Sequence, residues 1–530
     1  SFISAFIEDK AWDEVVNEMD ALEKITKEDI INFVKEKYGD NYVCIYKKQG
    51  ENEGVMKIQK PPITQVELNR EQQSPFYKDF IETPSSRLKP LFLDYKKDIE
   101  SHKLKKSGIT LNYIKNELNE TFNLYYIFDM GSNHDKKLAL AVKYLPYLGT
   151  DKYTASQLQE EFYKLGLSFD VFASGDRAYV SLSGLEDSFA EGVKLFEHIL
   201  NNVKGDEAAL EKMIDGVLKD RADAKTDKNT IFWRALFSYG KYGKTSPFTN
   251  KLSEKELKDL TANELVAQIK ELSKYKHSIF YYGQNTPQTA IKVLSKYHRP
   301  GKASKLKNYP TRTEYTELDT KKNKVLFVNY DMVQAQIFMI SKDQQYSTDI
   351  LPQARTFNEY FGGGMSSVVF QEIREARALA YSAFASYDTP NKANESHYVQ
   401  GFMAVQSDKL PDAIDAMREL MTDMPKSEGA FDNAITSMMK KIETERITKT
   451  SKYFDYLSAK DKGLDYDVRK NIYEKAPNLT FNDLQAFFDD YIKDRNYTFM
   501  VIGNKETLNM DYLKKLGEFE ELNLEDIFGY

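Results

Sequence analysis

At 530 residues the chain has room for about three ordinary domains, each able to bury a sizeable core. Its 74 Lys and Arg against 81 Asp and Glu leave a net charge of −7, with no dense basic block to track phosphates, which argues against a nucleic-acid partner. No apolar run reaches the ~18 residues of a membrane-crossing helix, and the single cysteine, Cys44, has no second thiol to pair with and reads as a small buried apolar residue.

The chain opens Ser1-Phe2-Ile3 without the basic, apolar and small-residue succession of a signal peptide, and nothing in it chooses between periplasm and cytoplasm. Ile25-Thr26-Lys27-Glu28-Asp29-Ile30 then predicts a helix start leading to an apolar strand, Tyr42–Tyr46. The same pattern returns at Leu260-Thr261-Ala262-Asn263-Glu264-Leu265 before Ser278–Gly283, and at Leu479-Thr480-Phe481-Asn482-Asp483-Leu484 before Tyr497–Gly503. In each, a Thr suits the N-cap and an acid falls in the first turn, where the helix dipole favours it.

Between the second and third occurrence the sequence repeats itself. Thr261 and Thr480 are 219 residues apart, and the apolar helix face Phe189, Val193, Phe196, Ile199 and Leu200 recurs 221 residues later as Leu410, Ile414, Met417, Leu420 and Met421. A second helix follows in both copies, with Glu207, Leu210 and Ile214 answering to Glu428, Phe431 and Ile435. Since almost nothing precedes Thr26, residues 1–48 read as the closing helix and strand of an upstream unit. Residues 49–95, punctuated by prolines and glycines, read as a linker with a short helix around Val66–Gln73. Two full units follow, 96–300 and 315–530, joined by a connector at 301–314. Strands such as Val180-Ser181-Leu182-Ser183 among long helices make each an α+β unit: a mixed or antiparallel sheet with helices on one face.

The chemistry is sparse. None of the six histidines has another three to five residues away, so no local zinc motif exists, and no G-x-S-x-G nucleophile elbow is present. The densest unusual segment is Tyr360-Phe361-Gly362-Gly363-Gly364-Met365-Ser366-Ser367 and the residues after it, through Tyr381. It lacks the lysine of a phosphate-binding loop, so it reads as a turn ending one helix, with Ser366 or Ser367 capping the next.

From Phe361 to Tyr381 the segment resembles the pattern of the pitrilysin/insulinase (M16) zinc peptidases: a glycine-rich turn, a serine, Phe-x-x-x-Arg, and a Tyr seven residues after that Arg. The matching residues are Phe370, Arg374 and Tyr381. The resemblance implies four similar domains arranged as two halves that close over unfolded peptides. This chain is similar to the second half, the one without metal. It further implies that Arg374 and Tyr381 donate hydrogen bonds to the substrate or to the oxyanion formed when metal-bound water attacks, while Phe370 walls a substrate side chain. Zinc would then be a cofactor of the full-length protein, held by an N-terminal half that is the expected partner, together with peptide substrate. Without the resemblance, Arg374 is a helix-end or carboxylate-paired arginine and the two aromatics are packing residues.

Active domains of the family carry H-x-x-E-H shortly before Gly-Thr. Counting back from Gly149-Thr150, this chain has Leu140, Lys143 and Tyr144 at those places, and Lys219-Asp220 near the third ligand, so no metal ligand set is expected here. Two other readings stand beside a peptidase half: a metal-free scaffold or partner subunit of the same family, or a peptide- or polymer-binding protein using some of its 35 Tyr and 32 Phe.

Overall fold

The computed structural model describes residues 1–48, 50, 72–84 and 88–530, in two compact units, 1–62 and 63–530. The described residues of the first unit hold four short helices, Phe2–Ile7, Trp12–Val16, Glu18–Leu22 and Lys27–Lys37, and among them only Ala5 is buried. Thr26 caps the last helix as expected, accepting from the Asp29 N–H (3.2 Å) while the Asp29 carboxylate accepts from the Thr26 N–H (2.8 Å). Tyr42–Tyr46 does not form the expected strand. It is extended chain with no strand beside it among the described residues, and Val43 and Ile45 are 90% and 89% exposed. Cys44 is consequently exposed rather than buried, since no strand covers it among the described residues. The helix expected around Val66–Gln73 falls almost wholly outside the described residues; a helix does occur at Pro75–Glu82.

The second unit contains two six-stranded sheets. The first is built from β1 (Glu100–Lys103), β2 (Thr110–Lys115), β3 (Thr121–Phe128), β4 (Leu167–Ala173), β5 (Ala178–Leu185) and β6 (Ser278–Gly283), in the order β1-β2-β6-β3-β5-β4. The second uses β7 (Lys324–Asn329), β8 (Gln334–Gln345), β9 (Ala380–Asp388), β10 (Ser396–Gln406), β11 (Thr498–Gly503) and β12 (Glu518–Leu522), in the order β12-β7-β11-β8-β10-β9. Five strands of each sheet therefore follow the same path, with one parallel pair at the same place, β2 with β6 and β7 with β11. The sixth strand differs: β1 is antiparallel to β2, whereas β12 is parallel to β7. Thr261 and Thr480 both form capping boxes, with Glu264 and Asp483, so the helices before β6 and β11 begin alike.

Each sheet packs its own helices on one face. Phe189, Val193, Phe196 and Ile199 of the helix Phe189–Asn202 lie in the core under the first sheet, and Leu410, Ile414, Met417 and Leu420 of Leu410–Leu420 lie under the second. The opposite faces are also buried, which is why β6 and β11 read as continuous apolar runs rather than alternating ones. The cover comes from across the molecule. The helix Ser451–Asp461 lays Tyr453 on Phe280 of β6, ring centroids 4.2 Å apart, and the Tyr453 hydroxyl accepts from Asn112 Nδ2 at 2.8 Å. In exchange, the segment Thr230–Tyr242 places Ile231, Phe232, Leu236 and Tyr239 against Phe338, Phe402, Met500 and Ile502 of the second sheet. It approaches closely because Gly240 lies over Met500, where a Cβ would fall 2.5 Å from the sulfur. Ion pairs rim the junction: Arg312 to Asp176 at 2.7 Å, Arg177 to Asp461 at 3.1 Å, and Lys392 to Asp176.

Tyr453 is fully buried at this crossover. Tyr453→Ala should lower the stability of the unit by about 3–5 kcal/mol in urea unfolding, whereas Tyr453→Phe, which keeps the stacking and strands only the Asn112 amide, should cost about 1–2 kcal/mol. Equal effects of the two substitutions would mean that the ring does not hold the two sheets together.

Candidate functional site

The Gly-rich segment lies between two π-helical turns. The helix Leu351–Phe357 widens into Asn358–Gly362, and after a turn the chain enters Phe370–Ala376; such wide turns recur at functional positions. Gly362 lies against β9 so closely that a Cβ would sit 1.6 Å from the Ala385 carbonyl oxygen. Beside it the Asn358 amide pairs with the β9 backbone, donating to Tyr387 O (3.0 Å) and accepting from the Tyr387 N–H (2.7 Å). Of the two expected caps, Ser367 is the one used: its hydroxyl donates to Gly364 O (2.9 Å) and accepts from the Phe370 N–H (3.4 Å).

The chain then reverses through Ala378, whose φ of 46° is in the left-handed region that side chains disfavour. Three contacts hold it there. Its N–H donates to Arg374 O (3.1 Å), the Leu379 N–H donates to Ile373 O (2.9 Å), and Lys409 Nζ donates to the Ala378 carbonyl (2.8 Å). Arg377 ties the same turn to the helix Leu410–Leu420 through Glu419 (2.8 Å). The reversal returns the start of β9 toward the π-helical turn, and the three residues singled out in the sequence meet there. The Arg374 guanidinium carbon lies 4.8 Å from the Phe370 ring centroid and 5.0 Å from that of Tyr381, a cation held between two rings. Its ion-pair partner is Glu375 at 3.5 Å, with the two side chains 38% and 47% exposed, so that ion pair contributes little. Tyr381 is 73% exposed and its hydroxyl makes no hydrogen bond among the described residues. Guanidinium and phenol are thus both available as donors on one surface. The supports from Ala378, Lys409 and Arg377 left no trace in the sequence, since an alanine carries no signal of positive φ and the lysine is 31 residues away from the carbonyl it holds.

The positions matching the family's metal ligands behave differently. Leu140 and Tyr144 are buried, and the Tyr144 hydroxyl donates to Asp206 O (2.5 Å) and accepts from the Asp206 N–H (3.0 Å), bracing the start of the helix Glu207–Ala224. Lys143 is exposed. A leucine, a lysine, an engaged tyrosine and one aspartate do not fit zinc. Among the described residues no three His, Cys, Asp or Glu side chains are grouped so as to hold a metal, and no helix is long and apolar enough to cross a membrane.

The histidines have structural partners: His102 with Glu100, His134 with the Gly131 N–H, His198 with Thr150, and His397 with Asp388 O and the Ser347 N–H. The last two form a buried chain: His277 Nδ1 donates to Tyr275 O (2.7 Å), His277 Nε2 meets His298 Nε2 (2.8 Å), and His298 Nδ1 meets Glu197 (2.7 Å). Burial, with His298 beside it, pushes His277 down to about 4.

Models of two domains match the chain: "Insulinase (Peptidase family M16)" over residues 113–245 and "Peptidase M16 inactive domain" over 259–438. The chain belongs to peptidase family M16. An uncharacterized zinc protease of Rickettsia bellii is 24% identical over 305 residues, covering 54% of this chain and 71% of that protein. The peptidase M16 inactive domain of Pseudomonas fluorescens shares the fold at a TM-score of 0.60 and 15% identity, covering 77% of this chain and 98% of its own. The periplasmic protease PqqL of Escherichia coli does so at 0.60 and 14%, with 92% of this chain matched to 52% of that protein. The inactive-domain match spans the whole segment from Phe361 to Tyr381, and the other spans the metal-free positions of this M16 chain.

Two outcomes follow from this geometry. Gly362→Ala should cost several kcal/mol, roughly the penalty of a forced core clash, and lower the melting temperature, while Gly363→Ala, whose Cβ would meet nothing nearer than 3.7 Å, should leave it unchanged. Because His277 is neutral in the fold but protonates near 6.5 when unfolded, the unfolded chain binds more protons on acidification. Stability should therefore fall as the pH drops from about 6.5 to about 4, a fall that His277→Gln would flatten in pH-dependent urea unfolding.

Proposed function

We propose that this chain is the C-terminal half of a zinc-dependent endopeptidase acting on peptides and unfolded polypeptides. In this reading the half closes over the substrate and supplies Arg374 and Tyr381. The observation that carries the reading is the Phe370–Arg374–Tyr381 cluster, in which a guanidinium is clamped between two rings, one of them the Tyr381 phenol, whose hydroxyl makes no hydrogen bond among the described residues. Stacking holds the guanidinium plane while leaving its N–H groups to donate, and the rigid π-helical turn fixes where they donate.

Zinc, held by an N-terminal half with the general-base carboxylate, would polarise the scissile carbonyl. This chain's own work is narrower. Arg374 and Tyr381 donate hydrogen bonds to a peptide oxygen as negative charge grows on it, and Phe370 offers an apolar wall to the neighbouring side chain. The domain order in this reading is residues 1–48 ending the second domain, 96–300 forming the third and 315–530 the fourth. Two features support it. Five strands take the same path in both sheets, and residues 1–48 expose Phe2, Phe6, Val43 and Ile45, as a helix-and-strand tail separated from its own sheet would.

In the full-length protein, Arg374→Ala and Tyr381→Phe should each lower turnover of an unfolded peptide by ~10²-fold or more, with zinc content and melting temperature unchanged. Unaltered turnover would leave the cluster a packing feature, and a full-length protein without zinc would favour the scaffold reading.

A further inference from the structure

An open cavity of about 470 Å³ lies between Lys136–Tyr144, Glu207–Ala224, the π-helical turn Thr230–Leu236 and the segment 247–252, with Tyr530 in its wall. Its lining is strongly one-sided in charge. Lys136, Lys143, Arg221, Arg234 and Lys251 face it against one side-chain carboxylate, Asp220, among the described residues, although the chain as a whole is acidic. None of the five cations forms an ion pair among the described residues. Lys251 is half-buried with its ammonium 3.7 Å from the Phe248 ring centroid and 4.8 Å from that of Tyr530. The Arg221 guanidinium stacks on the same Tyr530 ring at 4.8 Å; its Nη2 donates to Leu252 O (2.8 Å), while its buried Nη1 has no partner.

Arg221 and Lys251 are half-buried, while Lys136, Lys143 and Arg234 stand exposed at the rim; for the first two, positive charge partly removed from water without a counter-charge is costly, and aromatic rings offset only part of that cost. The strain registers on Lys251, whose ammonium is pushed down to about 8 by burial and by Arg221 and Arg234 beside it. A cavity that converges five cations and leaves a buried guanidinium N–H unused is built for a ligand that supplies several acceptor oxygens and negative charge at once.

We infer that this cavity binds a small multivalent oxyanion, a phosphate or a polycarboxylate, through Lys251, Arg221 and Arg234. The location adds to the case. Leu140, Lys143 and Asp220, which stand where the family's active domains carry metal ligands, line this same cavity. The place that would hold a cation has been refilled with cations of its own, so its preference in ligand charge is reversed. The inference is independent of the role proposed for Arg374 and Tyr381, which belong to the half of the unit that carries the other sheet.

The test is calorimetric titration of the protein at low ionic strength with sodium pyrophosphate and, separately, with citrate. Saturable one-to-one binding of at least one is expected, and the tighter of the two identifies the source of the oxyanion. Lys251→Met should weaken that binding by about tenfold or more, and Lys228→Ala, a lysine outside the cavity, by no more than about twofold. Arg234→Gln, at an exposed position, gives the same reading if the Lys251 variant fails to fold. For citrate, which is already fully ionised, affinity should also fall as the pH rises through about 8, as Lys251 loses its proton among Lys136, Lys143, Arg221, Arg234, Asp220 and Tyr530. Absence of saturable binding by either anion, or equal affinity in the wild type and a folded variant, would overturn the inference.

Discussion

The burial of each sheet's second face depends on the other half of the unit. A sheet containing a parallel pair exposes a wide apolar surface unless both faces are covered, and here each half covers one of its own faces and one of its neighbour's. Ser451–Asp461 covers Phe280 and Tyr282, while Thr230–Tyr242 covers Phe338, Phe402 and Met500. The interface between the halves is therefore made of core, with Tyr453 and Phe232 as buried as residues inside either half. This welds the two sheets into one body, and the ion pairs of Asp176 and Arg177 trim its edge rather than create it.

That rigidity is what allows a surface cluster to hold a defined geometry. Arg374 and Tyr381 are separated by a strained reversal at Ala378, and a φ of 46° persists only where the surroundings over-determine it. Lys409, the Arg377–Glu419 pair and the Asn358 amide on β9 supply those restraints. β9 is also an edge strand, paired among the described residues with β10 alone. The Asn358 amide and the close fit at Gly362 occupy part of its free side, which limits how far that edge can recruit another chain.

Much of this was legible in the residues. Thr26, Thr261 and Thr480 announced three helix starts that the structure closes with capping boxes, and the doubled apolar face of Phe189–Leu200 and Leu410–Met421 lies in two cores under two sheets of similar path. Phe370, Arg374 and Tyr381 could be picked out because their spacing is local and matches a known pattern. What sequence could not reveal was long-range. A strand at Tyr42–Tyr46 needs neighbouring strands that these residues do not contain, so a strong β pattern yields exposed chain and an exposed Cys44. The exchange of Ser451–Asp461 and Thr230–Tyr242 was hidden because a helix face gives no hint of which sheet it covers. The cationic cavity was equally hidden, since its lysines and arginines are scattered from 136 to 251 and only the fold gathers them.

The crossover also orders events in time. As the chain leaves the ribosome, β6 is complete at Gly283, but the helix that covers its outer face ends only at Asp461. At ordinary elongation rates that gap lasts on the order of ten seconds or more. Throughout it the outer face around Phe280 and Tyr282 has Tyr95 and Ile99 from earlier in the chain beside it, and lacks Tyr453 and Leu457. The outer face of the first sheet is therefore completed last, by a helix that belongs to the other half of the unit.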